Sequence, residues 1–381
     1  MNRLRVLITG PALRDEGGVA NYYNAVLGHL AADGRYEVEY FELGSTKGNM
    51  GPLHPLADQA GFHRMLGRFR PDLVHVNPSL TLRSFFRDGL IIVQARRRRI
   101  PVVVFFRGWD RATEVRVDRQ LGWLFRRTYG RANGFIVLAS RFRDKLVEWG
   151  VRAPVFLETT TVPDAVMTSF DIGERVERLR SDRRLKILFL ARLEPAKGVL
   201  ETLEAVEKLL HRGIDVSLTI AGNGPALEDL QRFLDAHRGL GASVELAGYV
   251  RGEAKRALFL RHHVYCFPSE YWEGMPNSVL EAMALAMPIV TCPVGGLADF
   301  FEDGRMGHLV PRRDASLVAD RLARLAGNRE AAMAMAAYNH DYATKRFMAR
   351  DVARRLGEIY LSVARCGGEA VLTHPTGAGG S

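Results

Sequence analysis

Short apolar segments alternate with amphipathic stretches along the first part of the chain. Most of these segments are unbroken runs of Val, Ile, Leu and Phe, which is typical of parallel strands buried on both faces of a sheet. They predict strands at residues 4–10, 38–43, 72–76, 100–106, 134–140 and 154–158. Apolar residues at helical spacing then predict a helix over 19–32 that ends before Gly34. These residues are Val19, Tyr22, Val26, Leu27 and Leu30.

Two polar residues beside these strands receive structural interpretations. Ser140 is predicted to cap the amino end of a helix over 141–149, and Gly150 is predicted to end that helix. His75 lies inside the strand at 72–76, where we expect a buried histidine with a structural role.

The strand and helix pattern restarts after a polar, turn-prone stretch at 159–171. A short charged helix, a strand at 185–191 and a helix near 198–211 follow it. Further strands are predicted at 216–222, 244–249, 264–269 and 288–294. The repetition predicts two doubly wound α/β domains, because alternating strands and helices form parallel sheets covered by helices. We set them at 1–165 and 166–345.

The end of the chain is predicted to contain one more helix and a tail. Apolar residues at helical spacing predict the last helix over 346–364. The segment from 367 to 381 is rich in Gly and poor in apolar residues, so we expect it to be disordered.

The overall composition is that of an ordinary globular protein. Of the 381 residues, 47% are hydrophobic and 25% are charged. The three cysteines, Cys266, Cys292 and Cys366, lack the spacing of metal ligands and favour neither a zinc site nor a disulfide framework. The sequence has no signal-like start and no apolar run of about 20 residues, so we expect a cytoplasmic protein.

The positive charge is concentrated in the first part of the chain. Residues 1–165 contain 25 Lys and Arg against 16 Asp and Glu, and the whole chain has a net charge of +10. One interpretation is that this basic surface is simply solvated and favours solubility. Alternatively, it faces an anionic partner: a membrane leaflet, a lipid-phosphate acceptor or a nucleic acid. The basic residues lack the interleaved aromatic motifs of RNA-binding sheets, which counts against nucleic acid.

The most informative stretch is PSEYWEGMPNSVLEAMALAMPIV, at 268–290. A strand ends near Ser269, Glu273 lies in the following loop, and a helix begins around Asn277 and carries Glu281 about one turn in. The amino end of a helix favours phosphate, because its first N–H groups lack acceptors and its dipole is positive there. Carboxylates beside it can accept hydrogen bonds from sugar or ribose hydroxyls. Alternatively, Glu281 has only a structural role and stabilises the first turn of its own helix.

A second cluster, ARLEPAKG at 191–198, directly follows the strand that opens the second half. Ligands bind at the carboxyl ends of strands in open α/β sheets. Arg192 and Lys197 suit a diphosphate there, since one offers a planar fork of donors and the other a point charge. Taken singly, either residue is as well explained by an exposed basic loop, but the two clusters together favour a binding site.

Two glycine-containing loops are weaker signals. Gly17 and Gly18 precede the first helix, where glycines let a phosphate approach the backbone closely. The spacing is neither that of a Walker P-loop nor that of GxGxxG, which counts against an ATPase and a dehydrogenase. The segment AGNGP at 221–225 closes another strand and is explained equally well by a simple turn.

In these motifs the sequence resembles the retaining glycosyltransferases of family 4, which have the GT-B fold. The similarity covers most of the chain, from GGVANYY through ARLEPAKG, AGNGP and EGMPNSVLEAMA to CPVGGLADFFEDGRMGHLVP. The most specific part is the pair of glutamates with seven residues between them, followed by AMA and a Pro-hydrophobic strand. The resemblance implies an α/β fold of two Rossmann-like domains facing each other across a cleft. It also implies that the last helix, 346–366, crosses back onto the N-terminal domain.

The resemblance assigns the charged residues to a nucleotide-sugar donor. Arg192 and Lys197 would bind its diphosphate, helped by the backbone of Gly17 and Gly18. Glu281 would hold the ribose, and Glu273 would contact the sugar near the transferred carbon. The remaining donor-binding positions that match the family are Asn223, Gly248, Tyr249, Val250, Met275, Pro276, Asn277, Ser278 and Val279.

The reaction implied by the resemblance is sugar transfer with retention of the anomeric configuration. The donor is a UDP- or GDP-sugar, which is a substrate, so no cofactor is expected. The family needs no divalent metal, and the leaving phosphate is the expected base. The expected acceptor is a glycan or a lipid-linked intermediate of the cell envelope, reached from the inner face of the membrane through the basic N-terminal domain.

The sequence departs from the family at one position that matters. Relatives carry His-Gly after the strand predicted at 100–106, whereas this chain has Arg107 and Gly108. Arg107 can replace a binding contact but cannot act as a base, because it stays protonated. Its fork of donors suits a phosphate or a sugar carboxylate, so we expect Arg107 to take part in the reaction.

Two other classes of function remain open from the sequence alone. A nucleotide-sugar epimerase or a phosphorylase on the same fold would rearrange or release its sugar without a glycosyl acceptor. A non-enzymatic nucleic-acid-binding module is suggested only by the isoelectric point of about 9.7, and it predicts a steep salt dependence of binding.

Overall fold

The computed structural model describes residues 3–15, 17–44, 54–272 and 274–365. The contacts divide the chain into two units. The first comprises the described residues of Met1–Thr159 together with the chain from Ala353 onwards, and the second is Thr160–Val352. Across the described ranges, no helix combines the length and the apolar character needed to cross a bilayer.

The first unit is built on a parallel sheet of six strands. Its strands are β1 Leu4–Gly10, β2 Tyr36–Glu42, β3 Leu73–Val76, β4 Val102–Phe105, β5 Gly134–Val137 and β6 Val155–Leu157. Their order across the sheet is β2-β1-β3-β4-β5-β6. Every residue of β3, β4 and β5 is buried, as the unbroken apolar runs of the sequence predict. The order reverses between β1 and β3, where a doubly wound sheet opens a crevice at its carboxyl edge.

Helices connect these strands. They are α1 Gly18–Ala32, α2 His54–Phe69, α3 Leu82–Arg97, α4 Arg111–Arg116, α5 Gly122–Arg127 and α6 Ser140–Glu148, with a π-helical turn at Val117–Leu121 between α4 and α5. The predicted cap at Ser140 is wrong, because Ser140 is the first residue of α6 and the preceding Ala139 offers no side-chain acceptor. Gly150 follows the end of α6 with a φ of 88°, as expected of a residue that ends a helix.

The second unit contains another parallel sheet of six strands. They are β7 Leu185–Leu190, β8 Val216–Ala221, β9 Val244–Gly248, β10 Val264–Phe267, β11 Ile289–Thr291 and β12 Gly307–Leu309. Their order is β12-β11-β10-β7-β8-β9, so the sheet reverses between β7 and β10. This is the strand order of the Rossmann fold, whose ligands bind outside the carboxyl ends of the two strands at the reversal.

The helices of the second unit complete the α/β layers. They are α7 Ile172–Ser181, α8 Val199–His211, α9 Leu227–Ala236, α10 Gly252–Arg261, α11 Asn277–Ala284, α12 Leu297–Phe300, α13 Ala315–Gly327 and α14 Arg329–Arg346. A last helix, α15 Ala349–Arg365, begins in the second unit and continues in the first. There, Tyr360 of α15 is buried and its hydroxyl lies 2.7 Å from Nδ1 of His75. The predicted tail from Gly367 lies outside the described residues.

Candidate active site

The loop after β7 carries two of the predicted cations. Arg192 is exposed, and its Nε lies 3.1 Å from Oε1 of Glu194. Lys197 ends a short 3-10 turn, with its Nζ 5.9 Å from the ring centre of Phe267 and 5.1 Å from that of Tyr271. Since Phe267 is the last residue of β10, Lys197 lies across the β7–β10 reversal. Both predicted cations therefore lie at the edge where this type of sheet binds ligands.

Glycines hold this loop against the neighbouring strand ends. Gly198 has a φ of 79°, and a Cβ there would lie 2.4 Å from the carbonyl oxygen of Pro268. Gly222 and Gly224, in the AGNGP segment, pack on the same loop from β8; a Cβ on Gly224 would lie 2.5 Å from the oxygen of Leu193. These close approaches require glycine, because any side chain would displace backbone. The AGNGP segment is therefore a support of the cationic loop.

Asn223 lies between these two glycines. Its carbonyl accepts a hydrogen bond of 2.8 Å from the N–H of Leu193, while its side chain is exposed. Asn223 thus fixes the backbone of the cationic loop, and its side chain remains accessible from the solvent.

The segment between β10 and α11 brings further predicted residues to this edge. The hydroxyl of Tyr265 donates to the carbonyl of Leu190 at 2.7 Å and lies 2.6 Å from Oγ of Ser278, so it joins β7, β10 and α11. Pro276 precedes α11 and offers no side-chain cap. The N–H groups of Asn277 and Ser278 have no acceptor within the helix.

Met275 and Val279, also predicted here, are buried. The N–H of Val279 donates to the carbonyl of Pro276 at 3.1 Å, so within the first turn the amides of Asn277 and Ser278 are the ones suited to an anion. Glu273 lies outside the described residues. Gly274 accepts a hydrogen bond of 2.8 Å from the N–H of Gly296, which joins the EGMPN segment to the GGLADF segment.

Glu281 is buried on α11 and forms an ion pair that the sequence analysis missed. Its Oε2 lies 2.5 Å from Nζ of Lys255, on α10, and the two side chains are 8% and 23% exposed. A carboxylate at this depth without a compensating cation would be strongly destabilising, and Lys255 supplies that cation. Glu281 therefore contacts another helix in addition to its own. Lys255 lies 26 positions before Glu281, and no local spacing links them.

Arg313 is a second residue that the sequence analysis missed. Its Nε lies 2.9 Å from Oε1 of Glu201, and its guanidinium also donates to the carbonyl of Pro195. Its backbone N–H donates to Oε1 of Glu270 at 2.9 Å. Arg313 therefore ties the Lys197 loop to the segment after β10. Its signal in the sequence, two arginines after VP, looks like an ordinary exposed loop.

The end of β9 places the predicted base-binding backbone beside the same loops. Gly248 has a φ of 65° and accepts a hydrogen bond of 2.7 Å from the N–H of Gly222. Tyr249 is 49% exposed and Val250 is half-buried, directly before α10. An exposed aromatic ring at this edge can stack on a planar base.

In the first unit, Gly17 and Gly18 lie at the start of α1 as predicted. Gly17 is extended, with a φ of 164°, and a Cβ there would meet no atom within 4 Å. No side chain caps the helix. The first N–H groups of α1 therefore lack intrahelical acceptors, which makes this helix end suited to an anion.

Arg107 follows β4 and is buried, with 8% of its surface exposed. Its guanidinium carbon lies 3.9 Å from the ring centre of Tyr22 and 4.6 Å from that of Phe105. His75, on the adjacent β3, is fully buried as expected. Burial and the positive charge of Arg107 lower the pKa of His75 to about 3, so His75 is neutral and structural.

The described residues form no group of three or more His, Cys, Asp or Glu placed to hold a metal ion. The two described cysteines are buried and unpaired, and burial raises the pKa of each of these thiols to about 12. Such thiols are poor nucleophiles and poor metal ligands.

Two family models match this chain. "Glycosyl transferase 4-like domain" matches residues 14–157, and "Glycosyl transferases group 1" matches residues 184–328. Together they cover most of both units, including the residues of the candidate site. The chain belongs to the group 1 glycosyltransferases of the family-4-like type, as the sequence motifs indicate.

Curated relatives share part of the chain. The alpha-D-kanosaminyltransferase of Streptomyces kanamyceticus is 31% identical over 209 residues, which are 53% of this chain and 53% of that protein. The phosphatidyl-myo-inositol mannosyltransferase of Mycobacterium leprae is 32% identical over 185 residues, 48% of this chain and 47% of the relative. The chain thus spans about half the length of these relatives.

Solved structures share the fold over nearly the whole chain. Anabaena HepE, in complex with UDP and glucose, has a TM-score of 0.71 at 17% identity and covers 94% of this chain and 100% of its own. Sucrose-phosphate synthase of Thermosynechococcus elongatus has a TM-score of 0.74 at 16% identity, over 96% and 100%. The predicted fold class, α/β with two Rossmann-like domains of the GT-B type, is confirmed.

Proposed function

We propose that the protein transfers a sugar from a UDP- or GDP-sugar to a glycan or lipid-linked acceptor, with retention of the anomeric configuration. The observation that carries this proposal is the β7–β10 reversal. It assembles Arg192, Lys197, the amino end of α11 and the paired Glu281 at one sheet edge. Cations and free amides suit a diphosphate, and a buried carboxylate suits ribose hydroxyls.

The chemistry of the proposal follows from the charge that develops on the leaving group. When the bond between the sugar and the diphosphate breaks, negative charge grows on the phosphate oxygen. Arg192, Lys197 and the first amides of α11 would stabilise that charge without a metal ion. The same phosphate oxygen would then accept the proton of the attacking hydroxyl on the retained face of the sugar. Arg107 is excluded as the base because it stays protonated.

The other donor contacts extend from the same edge. Glu281 would hold the ribose, with its carboxylate positioned by Lys255. The backbone of Gly248, Tyr249 and Val250 would meet the base. Glu273 stays a prediction for the contact with the sugar.

The acceptor is proposed from the relatives' names. One relative is a phosphatidyl-myo-inositol mannosyltransferase. Another, from Bacillus subtilis, is a putative teichuronic acid biosynthesis glycosyltransferase, 28% identical over 67% of this chain and 61% of its own length. These names support a lipid-linked or cell-envelope polysaccharide acceptor for this chain.

The surface of α3 supports peripheral attachment to the inner face of the membrane. Phe86 and Leu90 are 47% and 54% exposed, whereas Phe85, Ile91 and Ile92 of the same helix belong to the core. Exposed arginines at 83 and 97 lie on the same helical face. Apolar side chains flanked by cations suit an anionic bilayer surface, to which each basic residue contributes about 1 kcal/mol. Sedimentation with anionic vesicles should fall in Phe86→Ser/Leu90→Ser and with rising salt; equal sedimentation with neutral vesicles would refute the attachment.

The reaction is tested by incubating the full chain with a panel of UDP- and GDP-sugars, with and without lipid-linked and glycan acceptors. We expect one donor to be consumed with the formation of a glycoside, and NMR to show a product with the donor's anomeric configuration. Acceptor-independent rearrangement, or release by inorganic phosphate, would instead indicate an epimerase or a phosphorylase. An inverted product would overturn the retaining mechanism alone.

A further inference from the structure

Arg107 occupies an unusual environment for a cation. Its side chain is buried between aromatic rings, and its backbone N–H donates to the carbonyl of Pro78 at 3.1 Å. Among the described residues, however, its Nε and Nη1 have no hydrogen-bond partner. Two buried guanidinium nitrogens without partners are costly to maintain, because they have lost their water and gained no acceptor.

The charges around Arg107 do not supply a counter-ion. Burial lowers the pKa of the Arg107 guanidinium, and only the electrostatic effects of Tyr22, Tyr23 and Tyr40 oppose that shift. Glu158 acts electrostatically on the neighbouring Tyr22, but Arg355 already engages it, with Nε–Oε1 and Nη2–Oε2 distances of 2.9 and 3.0 Å. Within the described part of the chain, the positive charge of Arg107 therefore has no acidic partner.

Another buried arginine shows the contrast. Arg175, in the second unit, is 3% exposed, and its Nε and Nη1 donate to the carbonyls of Ala286 and Leu260 at 3.3 and 3.0 Å. Those carbonyls make Arg175 a structural tie between helices. The corresponding nitrogens of Arg107 have no such role, and Phe105 and Tyr22 offer them only ring faces.

The position of Arg107 adds a second anion-binding feature. Tyr22, on which the guanidinium stacks, is the fifth residue of α1, so Arg107 packs on the start of the second turn of this helix, whose amino end has no side-chain cap among the described residues. A Cβ on Gly17, at that end, would meet no described atom within 4 Å other than its chain neighbours. Both features belong to the carboxyl edge of the first sheet, beside its reversal between β1 and β3.

We propose that Arg107 and the amino end of α1 form a receptor for an oxyanion of the substrate, either a sugar carboxylate or a phosphate. The inference rests on the proposed glycosyltransferase function. The planar fork of the guanidinium can bind two oxygens at once, and the stacking on Tyr22 fixes its plane. The receptor would make one of the two substrates acidic in addition to the donor diphosphate that Arg192 and Lys197 are proposed to bind.

The test compares wild type with Arg107→Met and Arg107→Lys in the full chain, with Arg152→Met, an exposed position in the same unit, as the control. Calorimetric titrations use UDP and GDP, then UDP-glucuronate against UDP-glucose, then glycerol 3-phosphate with and without saturating nucleoside diphosphate. Loss of a charge-assisted contact predicts at least about tenfold weaker binding of UDP-glucuronate or of glycerol 3-phosphate by Arg107→Met. Weaker binding of UDP-glucuronate alone identifies a sugar carboxylate, and weaker binding of glycerol 3-phosphate identifies an acceptor phosphate. Equal weakening of UDP, GDP and both UDP-sugars would overturn the receptor, because the lost contact would then be to the diphosphate.

Melting of the unliganded variants separates this receptor from a structural role. Removing an unpaired buried charge should leave the melting temperature of Arg107→Met equal to that of wild type or above it. The receptor is overturned if both Arg107 variants bind every probe within twofold of wild type, or if Arg107→Met melts several degrees lower with unchanged binding. If wild type binds no nucleotide, the proposed function fails, and glycerol 3-phosphate alone decides the receptor: absence of its binding overturns it.

Discussion

The two units place their candidate cations in opposite environments on similar parallel sheets. In the second unit, Arg192 is exposed beside Glu194, and Lys197 faces the rings at the end of β10. In the first unit, Arg107 is buried and has no acidic partner among the described residues. Exposed cations on a loop can adjust to a ligand at little cost, whereas a buried cation is already desolvated and fixed. We therefore propose that the exposed cations of the second unit bind a group common to nucleotide-sugar donors, and that the buried Arg107 of the first unit selects one particular anion.

Among the variants that test this comparison, the one that perturbs the rigid Lys197 loop should have the largest effect. Gly198→Ala forces a left-handed residue to carry a Cβ that would lie 2.4 Å from the oxygen of Pro268. The left-handed strain costs about 1–2 kcal/mol, and the clash adds about 1–3 kcal/mol. We expect urea unfolding to show the summed loss and donor turnover to fall with it.

Gly213→Ala is the matched control for that experiment. Gly213 has a φ of 73°, close to that of Gly198, but a Cβ there meets no atom within 4 Å. It should therefore lose only the strain and keep full turnover. Equal destabilisation of the two variants would show that the loop is not held by close packing on Pro268.

The Lys255–Glu281 pair should have an intermediate effect. Lys255→Met leaves a nearly buried carboxylate unpaired, and we expect a loss of about 2–3 kcal/mol, below the usual range for fully buried pairs because Lys255 is 23% exposed. The double variant Lys255→Met/Glu281→Gln should recover part of that stability but not donor affinity. A double-mutant cycle by urea unfolding measures the coupling, and additive free energies would mean that Lys255 does not fix Glu281.

His75 should give the smallest effect at neutral pH, because its contribution to the unfolding free energy changes only at acid pH. Its folded-state pKa of about 3 lies below the ordinary value of 6.5, so the stability it contributes is complete above pH 6.5 and is lost as the pH falls towards 3. His75→Gln should lower the slope of the unfolding free energy against pH by up to about 1.4 kcal/mol per pH unit between pH 6.5 and 3. Tryptophan fluorescence reports mainly on the first unit, which contains Trp109, Trp123 and Trp149 of the four tryptophans.

The exposed His63 provides the control for this pH experiment. His63→Gln should leave the loss of stability at acid pH unchanged. An unchanged loss of stability at acid pH in His75→Gln as well would show that burial does not hold His75 neutral.

Much of the fold could be predicted from the sequence because the strands are unbroken apolar runs. Predicted and observed strands overlap at all eleven predicted positions, with ends that differ by at most three residues. The strand Gly307–Leu309 was not predicted, since three residues are too few for a periodic signal. The cap at Ser140 failed because the backbone became helical one residue earlier.

Residues of the candidate site could be predicted only where a local sequence motif contains them. The spacing of Arg192, Lys197 and Glu281 placed them correctly at strand ends and a helix start. Lys255 and Arg313 were not predictable, since their partners are distant in the sequence and only the tertiary fold brings them together. Arg107 was recognised from its place in the motif, but its burial without a partner depends on Tyr22 of another element.

The central claim is that the carboxyl edge of the second sheet binds a nucleoside diphosphate through Arg192 and Lys197. Calorimetric titration of UDP and GDP into wild type and Arg192→Ala/Lys197→Ala tests it directly, with the exposed Arg232→Ala on α9 as the control. We expect one binding site in wild type for one of the two nucleotides, and at least about 100-fold weaker binding in the double variant, since each charge-assisted contact is worth about 1.5–3 kcal/mol. Binding by the double variant with wild-type affinity would contradict it.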